Sequence, residues 1–113
     1  GLAGNSATVG GMIRSGLTEL ATTTDLIGDV RGTGLFLAAD MTHPETGEPS
    51  PEHALRLVNG LRDRGVLISA TGPEGATLKI RPPLPFQPEH AEHLIAAMAE
   101  VIKDLERDPQ RAE

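Results

Sequence analysis

Apolar residues recur at helical spacing in three stretches of the 113-residue chain, with shorter strand-like runs between them. In the first stretch, residues 5–21, the apolar positions return every three or four residues, which is typical of one buried helix face. They are Val9, Ile13, Leu17 and Leu20. Asn5 or Ser6 could serve as the N-cap. Glycines at 10, 11 and 16 cost up to about 1 kcal/mol each, so this helix needs tertiary packing.

Prolines mark the starts of two further helices. Ser50, Pro51 and Glu52 supply an N-cap, a first-turn proline and an acid, and Gly65 stands where a C-terminal cap belongs. Pro88 opens the last and longest helix. The predicted buried faces are Ala54, Leu57, Val58 and Leu61 in the second helix and Leu94, Met98, Val101 and Leu105 in the third.

The runs between the helices predict strands. Residues 26–32 and 33–41 are separated by a Gly-x-Gly step that favours a bend or bulge, and the second run is apolar on both faces, which favours a strand covered on both sides. Residues 43–49 form a proline-bounded loop. Residues 66–71 and 77–81 flank a Gly-Pro-Glu-Gly turn and predict a hairpin. The element order predicts an α+β fold, a small and mainly antiparallel sheet packed against helices.

Composition narrows the function classes. The 16 acidic and 10 basic residues give a net charge of −6, and with two Phe the chain is a poor candidate for nucleic-acid binding. The absence of Cys excludes a disulfide scaffold, a thiolate metal site and a Cys nucleophile. No run approaches the roughly 18 apolar residues of a membrane span, and the start lacks a signal-peptide pattern. We therefore expect a cytoplasmic protein.

Histidines and carboxylates offer few candidates for chemistry. His90 and His93 lie one helical turn apart and could form two ligands of a metal site, but no third ligand is apparent and a polar first turn is the favoured interpretation. His43 and His53 have no catalytic-triad context. Acidic pairs in the last helix, such as Glu100 and Asp104, predict a solvated face. The glycines at 28, 32 and 34 match neither a phosphate loop nor a dinucleotide fingerprint.

One pair of cations stands out. Lys79 and Arg81 alternate with Leu78 and Ile80, so both should leave the same side of a strand that buries its other side. The proline after Arg81 favours an extended backbone there. Two cations at a stiff strand end could bind a carboxylate or a phosphate. The alternative, which physical considerations alone favour, is a solvated face with salt bridges to acids such as Glu74.

The stretch LIGDVRGTGLFL at 26–37 resembles a hallmark segment of class III (ornithine-aminotransferase-like) pyridoxal-phosphate enzymes. The resemblance continues through RGVLIS at 64–69 and LKIRPPL at 78–84, and residues 5–20 fit the helix that leads into the family's C-terminal small domain. Within the family, the sequence of these segments is most similar to the alanine–glyoxylate aminotransferase 2-like branch, which includes ethanolamine-phosphate phospho-lyase.

This resemblance implies a helix leading into the small domain at 1–24, the small domain itself at 25–106 and a solvated tail at 107–113. It implies pyridoxal 5'-phosphate as cofactor, held by a lysine outside this chain, because neither Lys79 nor Lys103 matches the family's Schiff-base context. No catalytic or cofactor-binding residue is then expected in the chain, no metal, and no activity of the chain alone. The fold is incomplete without the enzyme's own large domain.

The implied activity is transfer of an amino group from a small anionic amine or amino acid to a keto acid, with Lys79 and Arg81 as substrate-binding residues. Many members carry arginine at the position of Lys79, and a lysine there loses the bidentate fork for a carboxylate. Two alternatives stay open: a phospho-lyase acting on a phosphorylated amino alcohol, and a non-catalytic binding module. The resemblance implies a homodimeric parent, and the isolated chain could be a monomer. Neither nucleic acid nor membrane is expected as a partner.

Overall fold

The chain alternates helices with pairs of strands. A computed structural model describes residues 2–33, 36–72, 74–80 and 87–107, and the element bounds that follow refer to those ranges. The elements are α1 (Leu2–Ala21), β1 (Ile27–Thr33), β2 (Phe36–Met41), α2 (Pro51–Asp63), β3 (Ser69–Thr71), β4 (Thr77–Ile80) and α3 (Pro88–Arg107). The predicted α+β class is confirmed.

The four described strands form one antiparallel sheet in the order β1-β2-β4-β3. The predicted hairpin is confirmed, because residues 69–71 pair with residues 77–79. Of the bend or bulge predicted at the Gly-x-Gly step, the bend is confirmed, because β1 and β2 pair antiparallel with Thr33 opposite Phe36, whereas the register shift lies between Ile27 and Val30. Gly32 is required at this step, since its φ is +102° and a Cβ would lie 2.2 Å from the carbonyl oxygen of Phe36. Gly34 lies outside the described residues.

The described helices cover one face of the sheet and leave the other uncovered. The residues on that face are buried against α1 and α2, and α3 packs against both of these helices. They are Leu37, Ala39 and Met41 of β2 and Leu78 and Ile80 of β4. The prediction that β2 is covered on both sides was wrong, because its alternate side chains, Phe36, Ala38 and Asp40, lie on a face that no described helix covers. In the described part of the chain this second sheet face is therefore uncovered.

The helix termini follow the sequence signals with one exception. Ser50 caps α2, and Gly65, with a φ of +80°, follows the helix end. The four predicted apolar positions of α3 are buried. In contrast, α1 begins at Leu2, so Asn5 and Ser6 lie inside the helix and the predicted cap was wrong. Polar residues at interior helix positions cost less than about 0.7 kcal/mol, which tertiary packing readily offsets.

Strand β3 is shorter than its apolar run suggested. It begins at Ser69, and the N–H of Val66 donates to the carbonyl oxygen of Leu61, so the start of the run completes the end of α2. Arg81, the prolines after it and residues 108–113 of the predicted tail lie outside the described residues. Among the described helices none is both long and apolar enough to cross a membrane.

Candidate functional site on the open sheet face

The strand register places one row of side chains across the open face. Arg31 of β1 pairs with Ala38 of β2, Ala38 pairs with Lys79 of β4, and Lys79 pairs with Ser69 of β3. Directly paired residues project to the same face of a sheet. Lys79 is exposed while Leu78 and Ile80 are buried, so the alternation predicted for β4 is confirmed at Lys79.

Arg31 is held by two carboxylates. Its Nη1 lies 2.9 Å from Asp40 Oδ2 and 3.1 Å from Asp29 Oδ2. These hydrogen bonds raise the pKa of Arg31 further above its already high value, and the one to Asp40 has a larger effect than the one to Asp29. Arg31 is thus a cation whose charge is balanced by neighbours.

Asp40 is satisfied at both oxygens. Thr77 donates its hydroxyl to Asp40 Oδ1 at 2.8 Å, while Arg31 donates to Oδ2. Partial burial alone would raise the pKa of Asp40, but the hydrogen bonds from Arg31 and Thr77, with the charge of Arg31, lower it below its usual value. The group is a fixed carboxylate at neutral pH.

Beside this ion pair lies an open depression of about 570 Å³. Its lining includes Arg31, Phe36, Ala38, Thr71, Thr77 and Lys79. We call it the Lys79 groove. Its floor is low because Ala38 contributes only a methyl group between the two cations. Phe36 adds an apolar wall and is 56% exposed.

Within the described ranges, Lys79 differs from Arg31 in having no carboxylate within salt-bridge distance. Glu74, the acid considered for it from the sequence, forms no such pair there. Arg81 lies outside the described residues, so its predicted role beside Lys79 stays a prediction. The groove offers one charge-balanced guanidinium and one ammonium with no counter-ion in the part of the chain described.

The other sequence candidates are dispersed. His90 Nδ1 accepts a hydrogen bond from the backbone N–H of Gln87 at 2.8 Å, and His93 Nε2 lies 3.3 Å from the carbonyl oxygen of Arg64. No group of three potential metal-ligating side chains occurs among the described residues. Sequence reasoning missed Arg31, Asp40 and Thr77, whose proximity depends on strand register.

Comparison with known proteins identifies the family of the chain. The family model described as aminotransferase class-III matches residues 1–102. The chain belongs to the class III aminotransferases. This family is pyridoxal-phosphate-dependent, and the resemblance stated from the sequence is confirmed.

Relatives of two kinds resemble the chain. It is 35% identical over 95 residues to alanine–glyoxylate aminotransferase 2 homolog 2, mitochondrial, of Arabidopsis thaliana, covering 83% of this chain and 20% of that protein. It is 32% identical over 105 residues to ethanolamine-phosphate phospho-lyase homolog 1 of Caenorhabditis elegans, covering 91% and 22%. The chain thus spans about a fifth of the length of these curated relatives.

A solved structure matches the fold closely. A phospholyase from Arthrobacter in complex with phosphoethanolamine superposes with a TM-score of 0.86 at 36% identity, over 89% of this chain and 24% of that one. This chain and the phospholyase therefore share this fold, and the predicted small-domain fold is confirmed.

Proposed function

We propose that this chain is the C-terminal small domain of a pyridoxal-phosphate-dependent aminotransferase that moves an amino group from an amine or amino acid to a keto acid. In this proposal residues 25–106 form the small domain and α1 leads into it. The Lys79 groove receives the anionic end of the substrate. The observation that carries the proposal is the exposed ammonium of Lys79, which has no carboxylate partner in the described ranges yet lies in a concave, partly apolar site.

The cofactor does not fit on this chain. Its sequence contains two lysines, Lys79 and Lys103, and both are exposed. Lys79 lies in an open depression and Lys103 on the outer side of α3, so neither is enclosed as a covalent cofactor lysine must be. We infer that a larger domain of the polypeptide holds pyridoxal phosphate, which supplies the electron sink of the reaction. The chain alone should be inactive.

The contribution of this chain is then binding and orientation. Lys79 attracts the anionic end of the substrate, and Arg81 is proposed to act beside it. Phe36 excludes water from one side of the bound group, which strengthens a charge-assisted hydrogen bond to the ammonium.

The first experiment tests whether the parent protein is a cofactor enzyme. The full-length polypeptide should show a visible absorbance band with pyridoxal phosphate that borohydride abolishes, and the 113-residue chain should show none. A full-length polypeptide without such a band would favour a non-catalytic binding module.

The second experiment tests the groove. Lys79→Gln in the full-length polypeptide should raise KM for the anionic substrate by about tenfold, the loss of one charge-assisted contact, with the absorbance band unchanged. Lys103→Gln removes the same charge from α3 and is the matched control. Equal kinetics of the two variants would contradict the assignment of Lys79.

A second candidate is phospho-lyase elimination from a phosphorylated amino alcohol, and the lysine at position 79 favours it. A lysine offers a point charge, which suits a phosphate, whereas a carboxylate is bound best by the bidentate fork of an arginine. The similarity to the Arthrobacter phospholyase also supports it. Release of inorganic phosphate without a keto-acid acceptor would distinguish it from transamination.

A further inference from the structure

The charge balance around the Lys79 groove is unequal between its two cations. Arg31 contacts Asp29 and Asp40, whereas Lys79 contacts neither. Among the described residues the two positive charges and the two carboxylates sum to zero, so Lys79 attracts an anion through its local exposure and not through a net charge of this group.

Asp40 occupies the decisive position in this arrangement. It does not line the groove itself, but it binds two residues that do, accepting from Arg31 at 2.9 Å and from Thr77 at 2.8 Å. Its carboxylate is fixed in orientation because each oxygen has its own donor. Arg31 is correspondingly turned toward Asp40.

Arg31 and Lys79 are close enough to bind one anion together, so the charge balance of Arg31 affects anion binding. Arg31 and Lys79 lie in one row two strands apart, a separation of roughly 10 Å between backbones. Both side chains are long enough to reach a single anionic group above Ala38. A doubly charged group gains from two cations, whereas a singly charged group is satisfied by Lys79 alone.

We propose that Asp40 is a specificity-determining residue of the Lys79 groove, because by neutralising and orienting Arg31 it lowers the affinity for doubly charged anions relative to singly charged ones. This inference rests on the proposed function, which places an anionic group at Lys79. Asp40 is a positioning residue, since it acts through Arg31 and does not touch the bound group.

The test uses the full-length polypeptide and two probes, inorganic phosphate at pH 8, where it is mostly doubly charged, and acetate. Asp40→Asn should tighten the Kd for phosphate by about two- to fivefold, the range of an exposed charge pair. Acetate, with half the charge, should gain about the square root of that factor. The phosphate-to-acetate affinity ratio should therefore rise.

Three variants separate this role from a structural or long-range effect. Asp40→Glu keeps a carboxylate near Arg31 and should restore the original ratio. Asp104→Asn makes the same charge change on α3 and should leave the ratio unaltered. In an Arg31→Gln background, Asp40→Asn should no longer change the ratio.

The results distinguish a failure of the proposed function from a failure of the role of Asp40. If Lys79→Gln leaves both Kd values unchanged, the groove is not an anion site, and the proposed function and this inference fall together. If Lys79→Gln weakens both probes while Asp40→Asn and Asp104→Asn give the same ratio, the role of Asp40 is refuted and the proposed function stands.

Discussion

Ser50 contacts His53 twice at the start of α2. The Ser50 hydroxyl oxygen accepts a hydrogen bond from the backbone N–H of His53 at 3.3 Å, and a short hydrogen bond joins the same oxygen to His53 Nδ1. Both side chains are buried. The N-cap of α2 is therefore also the partner of a buried imidazole, and the same hydroxyl lies 3.2 Å from Glu52 Oε1.

Removing this hydroxyl should be costly. We expect Ser50→Ala to lower the free energy of unfolding of the chain by about 1–2 kcal/mol, because the helix loses its cap. Chemical denaturation measures the change. The control is Thr46→Ala in the preceding loop, since the Thr46 hydroxyl only accepts from the exposed N–H of Glu48. Equal losses in the two variants would contradict the double role of Ser50.

His53 makes the stability of this region pH-dependent. Burial lowers the pKa of His53, and the positive charges of His43 and Arg56 lower it further, against an opposing effect of Glu52. The ring of His43 packs edge-on to it at 5.5 Å. In the pH range between this lowered pKa and the unfolded value near 6.5, the unfolded state binds more protons than the folded one. The contribution to stability is full above about pH 6.5 and is lost as the pH falls.

We therefore expect the free energy of unfolding to fall between pH 7 and pH 5 and the fall to be shallower in His53→Gln. Denaturant titrations at several pH values measure this slope, which does not depend on how much the substitution itself destabilises. His90→Gln, which removes an exposed imidazole from α3, is the matched control. A slope that His53→Gln leaves unaltered would refute the assignment.

Arg64 joins the end of α2 to α3. Its Nε lies 3.0 Å from Glu100 Oε1, its Nη2 lies 3.1 Å from Asp104 Oδ2, and its Nη1 donates to the carbonyl oxygen of Gly60 at 3.0 Å. The predicted solvated face is confirmed by the exposure of Glu100 and Asp104, but the sequence does not reveal that Arg64 lies within reach of both.

We expect Arg64→Ala to lower the free energy of unfolding by about 1 kcal/mol and Arg64→Lys to recover only part of it, since lysine lacks the planar fork. The loss should shrink in high salt. Arg107→Ala is the control, because Arg107 lies 3.8 Å from Asp104 on the exposed surface. A double-mutant cycle with Glu100→Ala that gives no coupling energy would contradict the contact.

Local signals predicted most of the elements. The Ser50 cap, Pro88 and the alternation around Lys79 each depend on residues close in sequence, and all three agree with the structure. The prediction of a strand over residues 66–68 was wrong, because not all apolar residues of the 66–71 run reach the core. Leu67 is 81% exposed.

Only part of the candidate site could be predicted from the sequence, because the rest depends on how the strands pair. The exposure of Lys79 follows from strand alternation alone, but the contact of Arg31 with Asp40 requires the pairing of β1 with β2. That register, with Arg31 opposite Ala38, joins residues of two strands and no local residue pattern revealed it. Interactions between strands therefore needed the three-dimensional fold.

Two glycines of α1 look alike in sequence and differ in the structure. Around Gly11 there is nothing within 4 Å of the position that a Cβ would occupy. At Gly16 a Cβ would lie 2.6 Å from Ile95 Cγ1 and 2.8 Å from Cδ1, because α3 crosses α1 closely there. Gly11 thus weakens the helix without a packing role in the described structure, and Gly16 permits the helix contact.

We accordingly expect opposite effects from the same substitution. Gly11→Ala should raise the free energy of unfolding by about 0.5–1 kcal/mol, the difference in helix propensity. Gly16→Ala should lower it by about 1–3 kcal/mol through overpacking against Ile95. Thermal and denaturant unfolding of both variants test this. In an Ile95→Ala background the space is open, so Gly16→Ala should become neutral or stabilising; a loss that persists there would mean that Ile95 is not the obstacle.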